Sequence, residues 1–286
     1  MSHRIATYAI LSLLPLSSLA DGSPWLPIPH SGTVNLSYVF QTADEFYRAA
    51  QKSSTPAGGQ DIDQHTLWLN VNYGLSEEVA LDLKMGYAKS EYVVDPPRSF
   101  DESLNGLSDS SIGLTWRLVD EDISEIGLPS VAVRAAWIVA GDYETGSIHS
   151  IGDGANGVEG SLIVGKIFAE RVALSGELGY RQRSQDVPND VFFNLGAYFI
   201  VTPKLTGSLE YKLNNAVSGL DIGAPGFSPA RFPELKEESE IIGVGVSYNA
   251  TNTLNLGLNL ATVIDGRNTN DTNAIGLSVA YAFDLY

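Results

Sequence analysis

The chain has 286 residues, no cysteine, and 34 acidic against 17 basic side chains, for a formal net charge of −17 at pH 7. Without cysteine no disulfide framework can form, and so acidic a chain repels phosphate backbones, which argues against nucleic acid as a partner. Stability must come from a large core or from an extensive backbone hydrogen-bond network.

Residues 1–20 read as an export leader. Arg4 supplies a positive start, Ile5 to Leu16 is apolar apart from Thr7, Ser12 and Pro15, and Ser17-Ser18-Leu19-Ala20 offers small residues for cleavage after Ala20. The apolar run is too short to span a bilayer, which takes about 20 residues. Residues 21–31 follow as a periplasmic N-terminal segment. Its prolines at 24, 27 and 29 forbid regular structure. The expectation is a disordered lead-in, with a short plug anchored by Trp25 as the alternative.

From residue 32 onward the dominant pattern is alternation with period two, which predicts strands with one apolar face. Strands are expected at 32–43, 64–75, 79–92, 109–119, 129–141, 158–168, 171–183, 190–201, 204–215, 238–249, 253–265 and 273–286. In the eleventh, Leu254, Leu256, Leu258 and Leu260 alternate with Asn255, Gly257 and Asn259. The sixth is the least regular, because Ile163 and Ile167 compete with Leu162 and Val164 for the apolar face.

The connections alternate in length. Short ones fall at 76–78, 169–170, 202–203 and 250–252, with a longer one at 120–128. Long polar ones fall at 44–63, 93–108, 142–157, 184–189, 214–237 and 266–272. Outer-membrane barrels show this asymmetry, with short periplasmic turns and longer external loops, whereas a soluble sandwich has no reason for it. The expected fold is therefore all-β, a 12-stranded antiparallel transmembrane β-barrel over residues 32–286, with both ends of the barrel on the short-turn side. Tyr73, Tyr87, Trp116, Tyr180, Tyr211 and Tyr248 lie toward strand ends on the apolar face, where interfacial girdles place aromatics. The final strand alternates to Leu285, but the terminal Tyr286 is one residue out of register.

With the apolar face toward lipid, the other face lines a lumen of small and polar residues. Eight charged side chains stand among them: Asp82, Lys84, Arg117, Arg134, Glu177, Arg181, Glu210 and Lys212. At mid-membrane a charge facing lipid costs about 2–4 kcal/mol, so these face inward. They form either a paired network that stiffens the barrel, with Asp82–Lys84 and Glu210–Lys212 as local partners, or a ring that filters solutes.

Several stretches carry a family resemblance. Asn35-Leu-Ser-Tyr-Val-Phe-Gln-Thr-Ala-Asp-Glu-Phe-Tyr47, Asn72-Tyr-Gly-Leu-Ser-Glu-Glu-Val-Ala-Leu81, Gly106-Leu-Ser-Asp-Ser-Ser-Ile-Gly-Leu-Thr-Trp-Arg-Leu118 and Gly266-Arg-Asn268 resemble a family of outer-membrane barrels named for the MetA pathway of phenol degradation. The resemblance runs from about residue 34 to the C-terminus. It implies a barrel associated with uptake of aromatic or other poorly soluble compounds.

No catalytic constellation is visible. His30-Ser31 and His149-Ser150 are adjacent pairs, which point to opposite faces of a strand, so neither gives the His-x-Ser pair of a phospholipase barrel. Asp61 and Asp63 near His65 lack the spacing of a rim protease, and His149 in its Gly/Ser-rich loop reads as a solvated histidine. Gly152-Asp-Gly-Ala-Asn-Gly157 lacks the ligand spacing of a calcium loop and reads as a flexible tip. The reading is a monomeric, non-enzymatic channel for passive uptake of small hydrophobic or aromatic molecules in the bacterial outer membrane. It needs no cofactor or metal; its partners are outer-membrane lipid, the barrel-assembly machinery and the solute. A second reading is a surface-interaction barrel whose acidic loops bind cations or a partner; a hydrolase is a third.

Overall fold

The computed structural model describes residues 22–55, 59–94, 100–124 and 126–285. The expected leader and Tyr286 lie outside these residues. Fourteen strand segments form one antiparallel sheet: β1 (Ser31–Arg48), β2 (Gln51–Ser54), β3 (Gly59–Gly74), β4 (Val79–Val94), β5 (Phe100–Leu107), β6 (Ser110–Val119), β7 (Ser130–Val139), β8 (Gly157–Phe168), β9 (Val172–Arg183), β10 (Asp190–Thr202), β11 (Leu205–Ala216), β12 (Glu238–Asn249), β13 (Leu254–Arg267) and β14 (Asn270–Asp284). β14 pairs back onto β1, from Ser31↔Asp284 to Phe46↔Asn270, so the sheet closes on itself.

Two pairs of segments are collinear. β3 and then β2 continue along the same edge of β1, from Ala43↔Ile62 to Glu45↔Ser54. β6 and then β5 continue along β4, from Lys84↔Ser111 to Tyr87↔Leu107. The result is a closed barrel of 12 antiparallel strands. Below β2 and β5, each of which pairs with one neighbour, closure leaves no unpaired edge in the apolar band, the condition a sheet must meet to stand in lipid.

The alternation sorts side chains as expected. On β13, Leu256, Leu258 and Leu260 face outward and are exposed, while Asn255 is buried on the inside. Small residues dominate the inner wall, among them the fully buried Ala88 and Ala132. On β4 the outward face is apolar from Val79 to Tyr87 and then turns polar at Lys89 and Glu91, which pair with each other. That run is roughly 26 Å along the strand, and a tilt of about 40° makes it about 20 Å of membrane normal. Aromatics mark both borders: Tyr73, Trp116, Phe168, Tyr248 and Tyr281 at the short-turn end, and Tyr38, Tyr87, Trp137, Tyr180 and Tyr211 at the other.

The expected strands match the observed ones closely within this apolar band and fall short above it. β1 runs on to Arg48, β2 and β5 lie inside the stretches read as loops 44–63 and 93–108, and the supposed long loop 266–272 is a tight turn at Asn268 and Thr269. Above the lipid border the backbone ladder continues but the outward side chains are polar, so the apolar alternation that reveals a strand is lost.

An arginine in place of Leu258, at the middle of the outward face of β13, is expected to lower folding free energy in lipid vesicles by about 2–4 kcal/mol. Urea titration of the refolded barrel reads this directly; an unchanged midpoint would contradict the assigned faces.

Candidate functional site

The lumen has a filled side and a hollow side. On the filled side, Arg134 of β7 is 3% exposed and lies between two carboxylates. Its Nε and Nη2 donate to the Asp82 carboxylate on β4 at 3.1 and 2.6 Å, and its Nη1 donates to Glu159 of β8 at 2.5 Å. The bridge to Asp82 passes over β6 at Gly113, where a Cβ would stand 2.5 Å from Asp82 Oδ2 and 2.8 Å from Arg134 Nη2. Glu159 also accepts from Arg181 of β9 at 2.9 Å, and Arg181 reaches Asp190 of β10 at 3.2 Å. Glu177 accepts from Ser161 at 2.7 Å and from Asn194 at 3.0 Å.

These placements refine two expectations. Asp82 pairs with Arg134 across the wall, and the Nζ of its neighbour Lys84 stands 5.1 Å above the Trp68 ring. Arg117 sits at the short-turn end, where it donates to the Glu77 carbonyl at 2.7 Å and pairs with Asp120 at 2.9 Å. Glu159 and Asp190, which complete the charge network, were absent from the expected set. Their signal was available, since both are acidic residues in phase with the inward face of their strands.

The N-terminal segment corrects a third expectation. It is an ordered plug rather than a lead-in. His30 N–H donates to the Gly74 carbonyl at 2.8 Å at the base of β3, and the chain then crosses the barrel mouth to the wall of β8 and β9. Pro24 is fully buried, and Trp25, like Ile167, packs on the cluster of Ala173 and Tyr198. Trp25 Nε1 donates to Glu121 at 2.9 Å, and Glu121 also accepts from the Ile167 N–H at 3.0 Å. Gly165 makes room: a Cβ there would lie 2.5 Å from Pro24 and 2.7 Å from the indole. Gly22 reaches the network itself, against Arg134, Ile163 and Glu177.

The hollow side is a cavity of 390 Å³ lined by Asn35, Ser37, Trp68, Lys84, Glu210, Lys212 and neighbours. It meets a second cavity of 210 Å³ at Thr269 and Asn270, which holds Asp153 and Glu237. That one shares Phe46, Gly146, Ser147, Ile148 and Phe232 with a third, of 440 Å³, at the outer mouth. Through these shared lining residues the three follow one another from the loops to mid-barrel. Toward the plug a small pocket of about 10 Å³ lies between Gly22, Tyr198 and Glu210.

The outer loops are held by two polar hubs. Asp109, in the break between β5 and β6, accepts from the Gly141 N–H at 3.1 Å, from the Tyr143 hydroxyl and from Arg183 at 2.6 Å. Tyr143 in turn accepts from the Gly154 N–H at 2.8 Å, so the Gly152–Gly157 stretch is tied down rather than a flexible tip. Asn268 joins the turn after β1, through the Ala49 N–H at 3.0 Å, to the 217–237 loop, through the Ile222 N–H at 3.1 Å and the Lys236 carbonyl at 2.8 Å. Arg267 adds a bidentate pair to Asp221 at 2.8 and 2.5 Å. His149, expected to be solvated, is only 2% exposed. His65 stays on the outer surface, 2.6 Å from the Tyr38 hydroxyl. No group of three His, Cys, Asp or Glu side chains among the described residues could hold a metal ion.

A closed barrel with an apolar exterior, a polar lumen and loops folded over one mouth is the architecture of an outer-membrane channel. The chain belongs to the family described as "Putative MetA-pathway of phenol degradation", whose profile matches residues 28–281. Its fold is similar to that of an outer membrane channel from Pseudomonas putida F1, with a TM-score of 0.70 at 14% identity over 94% of this chain and 99% of the other. It is also similar to the KdgM porin, with a TM-score of 0.51 at 8% identity over 87% and 99%. The translocator domain of the autotransporter NalP from Neisseria meningitidis gives a TM-score of 0.51 at 12% identity over 98% of each chain. No curated protein matches the sequence.

Two predictions follow from this geometry. Arg134→Met leaves Asp82 and Glu159 inside the wall without their shared cation, so the barrel is expected to lose about 3–5 kcal/mol. A urea midpoint within error of the wild type would refute that role. The second concerns Asp153, which is walled in by protein and faces Asp109 and Asp190, so that despite Arg183 its carboxyl is pushed up to about 6. The folded loop thus holds a proton more tightly than the unfolded one does. Its stabilisation is complete below the ordinary carboxylate range and is lost as the pH rises to about 6. Hydrogen exchange of residues 140–156, corrected for intrinsic rate, is expected to be slower at pH 4 than at pH 7.5, and Asp153→Asn should remove the difference.

Proposed function

We propose that this chain is a monomeric, non-enzymatic channel of the bacterial outer membrane that takes up small apolar, ring-shaped molecules passively. The observation that carries the reading is the series of cavities that follow one another, by shared lining residues, from an aromatic outer mouth to mid-barrel. A purely structural barrel has no need of such a path, since its lumen would be filled to close packing. Membership of a family described by phenol degradation supports an aromatic cargo. The charge network on the filled side restricts the path to the hollow side, where Lys84, Glu210 and Lys212 present polar groups to a passing solute. Lipid on the outward face and the barrel-assembly machinery are the partners that go with this reading.

The test is uptake by intact cells. Cells carrying the chain are expected to take up labelled toluene several-fold faster than cells without it. Deleting residues 22–27 is expected to raise single-channel conductance in planar bilayers, because the plug is then gone. Equal uptake with and without the chain would overturn the reading.

A further inference from the structure

The outer cavity has a composition that the lumen does not share. Phe46 of β1 and Tyr92 of β4, each 3% exposed, form its floor, and Phe227 and Phe232 of the 217–237 loop close it from above. The two loop rings meet edge to face, with centroids 5.5 Å apart at 79°. Pro229 opens the short 3₁₀ helix Pro229–Glu234 that carries Phe232. Ile148 packs from the opposite loop onto Ile62, Tyr92 and Val94. A pocket walled by faces and edges of rings accepts another flat ring, offset or edge-on.

One polar side chain is buried in this setting. The His149 ring lies 5.9 Å from that of Tyr92, and both its nitrogens are buried without a hydrogen-bond partner. The Glu102 carboxylate lies 3.8 Å from Nε2, beyond hydrogen-bond range. Leaving a buried donor and acceptor unmade is costly, so this ring calls for a partner that the chain itself does not supply. The turn Ser147–Ser150 holds the residue in place: the Ser147 N–H donates to Ser150 Oγ and the Ser150 N–H to the Ser147 carbonyl, both at 3.0 Å.

We infer that the outer cavity is a binding site for a small neutral aromatic alcohol, its ring held among Phe46, Tyr92, Phe227 and Phe232 and its hydroxyl hydrogen-bonded to His149. An anion is disfavoured there, because a carboxylate on His149 would face Glu102. A plain hydrocarbon ring fits the walls but leaves the imidazole unsatisfied, and sites with a built-in polar partner discriminate strongly against ligands that lack it. Burial lowers the His149 pKa, with Glu102 opposing, so at neutral pH the ring has one nitrogen to accept and one to donate. The cavity, at 440 Å³, holds one such ring, and Phe46 and Phe232 also line the next cavity inward.

This inference rests on the channel reading for its purpose, and the test separates the two. Fluorine NMR titrations of the full chain in lipid nanodiscs would use 4-fluorophenol, fluorobenzene and 4-fluorobenzoate, with uptake of the same compounds measured in cells. Saturable 4-fluorophenol binding, at least tenfold tighter than the other two, is expected. His149→Phe should abolish the preference, and Phe232→Ala should weaken 4-fluorophenol in a chain whose barrel is untouched. Equal affinities in the wild type, tighter benzoate binding, or a preference that survives His149→Phe would overturn the site. The wild-type comparison stands even if His149→Phe fails to fold. Uptake without selective binding would sink the site and leave the channel; selective binding without uptake would do the reverse.

Discussion

Every backbone N–H and C=O in the apolar band must find a partner within the sheet, because lipid offers none. The seam between β1 and β14, running from Ser31↔Asp284 to Phe46↔Asn270, meets that demand for the last open edge. The rest follows from it. Once the ring is closed, each strand has one face toward lipid and one toward the lumen, and the two faces obey opposite rules. Leu258 belongs outside for the same reason that Arg134 belongs inside.

Inside, closure creates a space that side chains alone do not fill. Small residues such as Ala88, Ala132 and Gly113 keep the wall thin, and the protein uses the room asymmetrically. From β4 round to β10 the space is taken by the Asp82–Arg134–Glu159–Arg181–Asp190 chain of charges and by the N-terminal segment. From β11 round to β1 it stays hollow. A paired network suits the first half, because charges with close partners hold their geometry.

Legibility in the sequence followed the solvent. Between the aromatic borders, lipid enforces strict alternation, and strands such as 79–92 and 238–249 could be read almost to the residue. Above Lys89 and Glu91 both faces meet water, the alternation fades, and β2 and β5 pass for loops. The lumen charges were legible by phase, but not their partners, since pairing Asp82 with Arg134 depends on which strands become neighbours and on a glycine between them. The plug was the hardest case. Nothing in Pro24-Trp25-Leu26-Pro27 itself says that Gly165 on a distant strand has left a socket for it. His149 misled for a related reason: a Gly/Ser-rich loop looks solvated until a second loop covers it.

The Asn268 hub carries a consequence for the order of assembly. It stands in the turn between the last two strands, and it grips both the turn after the first strand and the 217–237 loop. Phe46, part of the cavity floor, belongs to the first strand; the support for the cavity roof belongs to the last hairpin. These parts are separated by most of the chain and meet only when the seam zips shut. The outer pocket is therefore the final piece of the molecule to exist, and an unfinished barrel has no means of displaying it. Whatever occupies that pocket encounters only barrels that are already complete.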